Sequence, residues 1–149
     1  MTSTEGLTVI EKKKLYVGCG LTRAPQTFKD EVERTKEELA EDWEVLQFLG
    51  TTAGTAADVY RVDILENVGS CDAFVAIADE PSTGLGYEIR EAVLRRKPTL
   101  ILAHVDAKVT RMAIGATEFF PDQKFDYRQY EDMVRDVPQI LREEFADLF

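Results

Sequence analysis

One stretch constrains this chain more than any other. From Ser70 to Arg96 an apolar run passes through a glycine-bearing turn into a helical pattern. Ala73 to Ala78 is too short for a helix and is bounded by acids, so it reads as a strand buried on both faces of a parallel sheet. Pro81, Ser82, Thr83, Gly84 and Gly86 make the turn, and Ile89, Ala92 and Val93 return at helical spacing. Such a corner attracts anions, because glycines let backbone amides come close to a ligand and the positive end of the helix dipole faces it. Glu88 falls in the first helical turn on this reading, where the dipole would keep its carboxylate ionised, suited to a nucleophile or base. Ser or Thr followed by an early Glu is also how an ordinary helix begins.

The rest of the chain arranges itself around that corner. Lys14 to Cys19 reads as the first strand, and Gly18-Cys19-Gly20 opens a loop, Leu21 to Thr27, that carries Arg23 and Pro25. An amphipathic helix follows over Thr27 to Glu41, with Phe28, Val32 and Leu39 on its apolar side, and then a second strand over Trp43 to Leu49. Gly50 to Ala57, rich in Thr, Ala and Gly, has the composition of a flexible segment that covers a site. Asp58 to Val68 is the next helix, with Val59, Val62, Leu65 and Val68 stepping three apart as its packed stripe and Asp63 flanking it.

Beyond the central corner come a buried strand over Pro98 to His104, a short helix over Val109 to Ala116, and a loop or edge strand at Asp126-Tyr127. Glu131 to Phe149 closes the chain with an amphipathic helix. Alternating strands and helices with short connections predict an α/β fold, mainly parallel, with helices on both faces. Residues 13–149 form one domain on this reading, behind a poorly ordered lead-in over residues 1–12. Ligands of such sheets bind at the carboxyl ends of the strands, which gathers Gly18 to Arg23, Gly50 to Ala57, and Ser82 to Glu88 at one rim.

Composition removes several function classes. Against 18 Lys and Arg stand 28 Asp and Glu, a net charge of −10 that repels duplex nucleic acid, and the Lys12 to Lys14 run is too short to reverse it. No apolar run approaches the roughly 18 residues that span a bilayer, and Met1 to Glu11 lacks a signal-peptide core, so a cytoplasmic protein without a membrane partner is expected. Cys19 and Cys71 lack CxxC spacing and His104 is the only histidine. This offers no metal-ligating set and no Cys–His or Ser–His–Asp apparatus, so neither metal nor cofactor is expected. The cysteines read as buried free thiols at strand ends and His104 as structural.

Taken in order, Leu15-Tyr16-Val17-Gly18-Cys19-Gly20, then Asp63 in a helix, Asp72 to Asp79, Gly84-Leu85-Gly86-Tyr87-Glu88 and Thr110-Arg111-Met112-Ala113-Ile114-Gly115 resemble the nucleoside 2-deoxyribosyltransferase family. The resemblance runs over roughly residues 14–127. Within the family the chain is most similar to the 2'-deoxynucleoside 5'-monophosphate N-glycosidases and the related CMP hydrolases, through its Pro-Ser-x-Gly-x-Gly-Tyr-Glu string and an Arg in the first loop. It implies a flavodoxin-like Rossmann fold and cleavage of an N-glycosidic bond with retention. Glu88 would attack the sugar C1' and form a covalent glycosyl-enzyme, and Asp63 would help the base leave protonated. Tyr16, Gly18 and Gly20 would line the sugar and base pocket.

The choice between nucleotide and nucleoside turns on Ser82. The transferases that this chain resembles have an acid there for the sugar 5'-hydroxyl, and the monophosphate hydrolases a serine for the phosphate. Two like charges about 4 Å apart, at an effective dielectric near 20, repel by ~4 kcal/mol, so an acid would exclude a phosphate that Ser82 admits. Arg23 and the amides of Gly84 and Gly86 are candidates to complete the cradle. Thr110, with Met112 nearby, matches the position from which a neighbouring subunit's hydroxyl reaches the phosphate, which implies a homodimer or larger assembly. Each has a plainer reading: Asp63 as a solvated helix acid, Arg23 as an exposed cation, Thr110 as a helix cap and Tyr16 as core. Asp79 and Glu80 count against an anion-friendly rim. The expected activity is hydrolysis of nucleoside 5'-monophosphates. The alternatives are base exchange by a deoxyribosyltransferase and non-catalytic nucleotide binding.

Overall fold

A computed structural model of the protein describes residues 11–49 and 54–148. Most of the expected lead-in and the first four residues of the Gly50 to Ala57 segment lie outside them. The elements are β1 (Lys14–Cys19), α1 (Gln26–Leu39), β2 (Glu44–Leu46), α2 (Ala56–Val59) continued by a π-helical stretch (Tyr60–Val68), β3 (Ala73–Ile77), α3 (Thr83–Leu94), β4 (Thr99–His104), α4 (Arg111–Phe119), β5 (Phe125–Tyr130) and α5 (Met133–Glu144), with a closing 3-10 turn (Ala146–Leu148). The sheet has the order β2-β1-β3-β4-β5 with every neighbouring pair parallel. This is the doubly wound flavodoxin-like order, whose direction reverses between β1 and β3.

Why the central strands are apolar at every position follows from their two-residue period. Leu15, Val17, Val75, Ile77, Leu100 and Leu102 point to one face and pack with Phe28, Val32 and Leu39 of α1 and Val137 and Leu141 of α5. Tyr16, Phe74, Ala76 and Ile101 point to the other and pack with Val68, Leu85, Ala92, Val93 and Ala113. Each fully buried large side chain contributes about 1.5–3 kcal/mol, so the sheet is a rigid floor for what stands on its rim. Parity also puts Tyr16 and Gly18 on the face that α3 covers.

Three elements depart from expectation or settle an open alternative. The second strand shrinks to three residues, because beyond Leu46 the chain leaves the edge of the sheet and Phe48 packs against both cores instead. The Asp126-Tyr127 region, expected as a loop or edge strand, is a parallel edge strand, paired to β4 from Thr99↔Phe125 to His104↔Tyr130. The third is the helix over Asp58 to Val68. Of its expected stripe only Val68 is buried, since Leu65 is exposed and Val59 and Val62 are only partly covered. Tyr60–Val68 instead winds as a π-helix, whose wider turn buries Ile64, Asn67 and Val68.

Candidate active site

The carboxyl ends of β1 and β3 part at the reversal of strand order, and a cavity of about 280 Å³ opens there. Tyr16 and Cys19 of β1, Asp63 of the π-helical stretch, Ser82 at the head of α3, and Gly84 and Glu88 within α3 all line it.

Glu88 stands beyond the first turn of α3, not within it, and it is buried. Its carboxyl therefore owes little to the dipole. Burial raises it to about 8, opposed chiefly by a short hydrogen bond donated by the Tyr16 hydroxyl, while the nearby Asp63 raises it further. The expectation that the helix end keeps it ionised gives way to desolvation, the stronger effect in a dry site. Burial and the Glu88 carboxylate likewise push the Tyr16 hydroxyl far up, so it remains a proton donor.

Gly18 makes room for this pair. A Cβ there would stand 2.7 Å from Glu88 Oε1, 3.1 Å from Phe74 Cε1 and 3.2 Å from Leu85 Cδ1. Gly20 does the same two residues along, where a Cβ would meet the Glu80 carbonyl oxygen at 2.7 Å. Gly18 and Gly20 thus act through close approach of β1 and its loop to α3 and its leading turn.

Asp63 is half-buried, and its Oδ1 accepts from the Leu49 amide at 2.8 Å and from Asn67 Nδ2 at 3.5 Å. Burial raises its carboxyl above the ordinary range, against those two bonds and the charge of Lys36. A carboxyl raised in this way is suited to give a proton. The second oxygen has no such fixed partner among the described residues.

Ser82 caps α3, its Oγ accepting from the Leu85 amide at 3.1 Å. The hydroxyl hydrogen stays available to a ligand. Gly86 does not serve as expected: its amide already donates to the Ser82 carbonyl at 3.3 Å, and it lies away from the cavity. Gly84 does line the cavity. Asp79 is no obstacle to an anion, because its carboxylate is turned to the His104 amide and the Tyr130 hydroxyl. His104 itself packs edge-on to Tyr130 and accepts from the Asp106 amide, a structural role.

Arg23 is exposed and does not line the cavity. Thr110 caps α4 through the Met112 amide at 3.3 Å and shares a separate groove with Ser82, Gly86 and Lys108, while Met112 is 85% exposed. Neither Thr110 nor Met112 lines the cavity.

Phe48, Val59, Tyr60, Leu85 and Tyr87 form the apolar wall, and sequence reasoning did not assign them to it. The one local signal was the pair Tyr60 and Tyr87, half-exposed aromatics on two different helices whose rings meet edge to face at 6.4 Å. Cys19 also faces the cavity, with its thiol pushed up to about 12 by burial. It is thus a poor nucleophile.

No protein-family model matches the chain. It is 44% identical over 61 residues, 41% of its length, to a Methanosarcina barkeri protein provisionally named 2'-deoxynucleoside 5'-phosphate N-hydrolase 1. A protein of the same name from Methanosarcina mazei is 37% identical over 78 residues, 52% of this chain. These matches cover 36% and 45% of the relatives, so the chain spans less than half the length of the curated proteins it matches. Among solved structures, the Clostridium botulinum CMP N-glycosidase aligns over 87% of this chain and 98% of its own, with a TM-score of 0.64 at 21% identity. The 2-deoxyribosyltransferase of Bacillus psychrosaccharolyticus covers 84% of this chain and 90% of its own, with a TM-score of 0.57 at 19% identity. A molybdenum cofactor carrier protein from Chlamydomonas reinhardtii reaches 0.57 at 15% identity, over 91% of this chain and 99% of its own, so the architecture also serves a protein named as a carrier. The chain therefore has the flavodoxin-like fold of the nucleoside deoxyribosyltransferases, and its sequence likeness runs to proteins named as 5'-phosphate N-hydrolases.

Proposed function

We propose that the protein is an N-glycosidase that hydrolyses the base–sugar bond of nucleoside or deoxynucleoside 5'-monophosphates. One observation carries this reading: a buried Glu88 held by Tyr16, a half-buried Asp63 and the free hydroxyl hydrogen of Ser82 share one cavity. A simple binding pocket has no need of two raised carboxyls side by side.

The chemistry follows from their protonation. Glu88, once ionised, attacks C1' while the C1'–N bond breaks and its electron pair goes to the base, which takes a proton from Asp63. Water then attacks C1' of the glycosyl ester and gives its proton to the Asp63 carboxylate, while the C1'–O bond to Glu88 breaks and the carboxylate is released, leaving the free base and a pentose 5-phosphate. Ser82 and the N-terminus of α3 receive the phosphate, a site where an anion is favoured. The apolar wall of Phe48, Tyr60 and Tyr87 suits the base.

Thr110 and the exposed Met112 and Phe119 on α4 support an assembly in which a second copy brings its Thr110 to the phosphate. No described helix is long and apolar enough to cross a membrane, and a phosphorylated substrate fits a cytoplasmic setting.

The test is chromatographic. The protein is incubated with nucleosides and their ribo and deoxy 5'-monophosphates, with and without an acceptor base, beside Glu88→Ala. Free base from monophosphates alone, lost in Glu88→Ala, is the expected result. Base exchange from unphosphorylated deoxynucleosides would make it a transferase, and binding without turnover would make it a nucleotide carrier or sensor.

A further inference from the structure

Lys36 lies on α1 and is 3% exposed, the one buried cation among the described residues. Its ammonium sits over the ring of Phe48 at 3.6 Å and 3.2 Å from Oε2 of Glu33, a carboxylate that is itself more than half exposed. It makes no hydrogen bond. One cation–π contact and one solvated ion pair do not offset taking an ammonium out of water. A charge kept in this way has work beyond holding the helix in place.

Phe48 connects it to the site, since the ring that the ammonium covers also lines the cavity. We propose that Lys36 is a positioning residue of the active site, holding Phe48 against the cavity and keeping a buried positive charge behind that wall. The inference rests on the glycosidase reading for its meaning, though not for its test.

Glu88 accepts from Tyr16 of β1 and shares the cavity with Cys19 of β1 and Asp63 of the π-helical stretch, and the field of Lys36 on α1 reaches it. Tyr16 and Lys36 favour the carboxylate, and Asp63 and burial oppose it. Against Lys36 lie Glu33 on its own helix and Phe48 after β2, and its field reaches Cys19 and the two site carboxyls. The charge of Asp63 opposes ionisation of Glu88, and that of an internal cation eases it.

The experiment follows the Glu88 carboxyl carbon by NMR through a pH titration of the full chain with labelled glutamate, assigned with Glu88→Gln. Lys36→Met, which keeps the length of the stem, is expected to move the Glu88 midpoint up by about one unit, and Lys36→Arg to restore it. Lys36→Gln serves as the neutral variant if Lys36→Met does not fold. The acid limb of kcat/KM should move with the NMR midpoint. A folded neutral variant whose Glu88 midpoint stays at the wild-type value overturns the inference. The two readings fail separately: a shifted midpoint in a protein that turns over no nucleotide sinks the glycosidase alone, and an unshifted midpoint in an active enzyme sinks the role of Lys36 alone.

Discussion

Glu88 and Tyr16 together decide when the site can react. Glu88 titrates near 8 in the folded chain against an ordinary 4.5, so the folded state keeps an extra proton between those values. The contribution of this group to stability is full below about 4.5 and is lost as pH rises through about 8. Glu88→Gln stays neutral throughout. Its Tm relative to wild type should therefore climb between about pH 5 and 8, by about 2–4 °C for each kcal/mol of burial cost relieved. Parallel melting curves across that window would remove burial as the dominant cause. Tyr16→Phe deletes the strongest force holding Glu88 ionised, so the acid limb of kcat/KM should move to higher pH, with about a tenfold loss at neutral pH for each unit moved. An unmoved limb would show that some other group governs ionisation.

Between elements, two contacts set the geometry. β1 can approach α3 only because residue 18 lacks a side chain. Gly18→Ala would force Glu88 Oε1 and the Phe74 and Leu85 side chains outward, costing about 1–3 kcal/mol in a denaturant melt and nearly all turnover, since the Tyr16–Glu88 bond cannot close. The π-helical stretch makes the other contact, turning Asp63 to the Leu49 amide and the cavity together. Asp63→Asn keeps an oxygen for that amide and should unfold within about 1 kcal/mol of wild type, yet lose ~10²–10⁴-fold in kcat. Asp63→Ala strands the amide and should cost about 1–3 kcal/mol as well. Equal melting curves for the two would mean that the Leu49 contact does not hold the connection.

At the scale of the molecule, the proposed sharing of sites between copies is tested by complementation. Thr110→Ala and Glu88→Gln proteins are each expected to be impaired, and unfolding and refolding them together should restore some of the activity, because a mixed pair holds one site with an intact Glu88 and a partner Thr110. A mixture no more active than the sum of its components would confine Thr110 to capping α4. Strand parity, the turn at Ser82 and the spacing of Phe28, Val32 and Leu39 were legible because they are local consequences of period and backbone freedom. The parallel α/β class followed from the same periods, together with the rim that holds Ser82 and Glu88, whereas Tyr16 and Asp63 were reached through the family resemblance. Other features depend on residues far apart in the chain: the π turn that replaces the valine stripe, the desolvation that overrides the dipole at Glu88, and the tying of Asp79 to His104 and Tyr130. So do the distance of Arg23 from the cavity and the burial of Lys36 over Phe48. By itself the sequence determined which side chains stand at the strand ends, through backbone periodicity. Only the tertiary structure decided which of them are dry and which face one another, because burial and field are set by neighbours that no local pattern names.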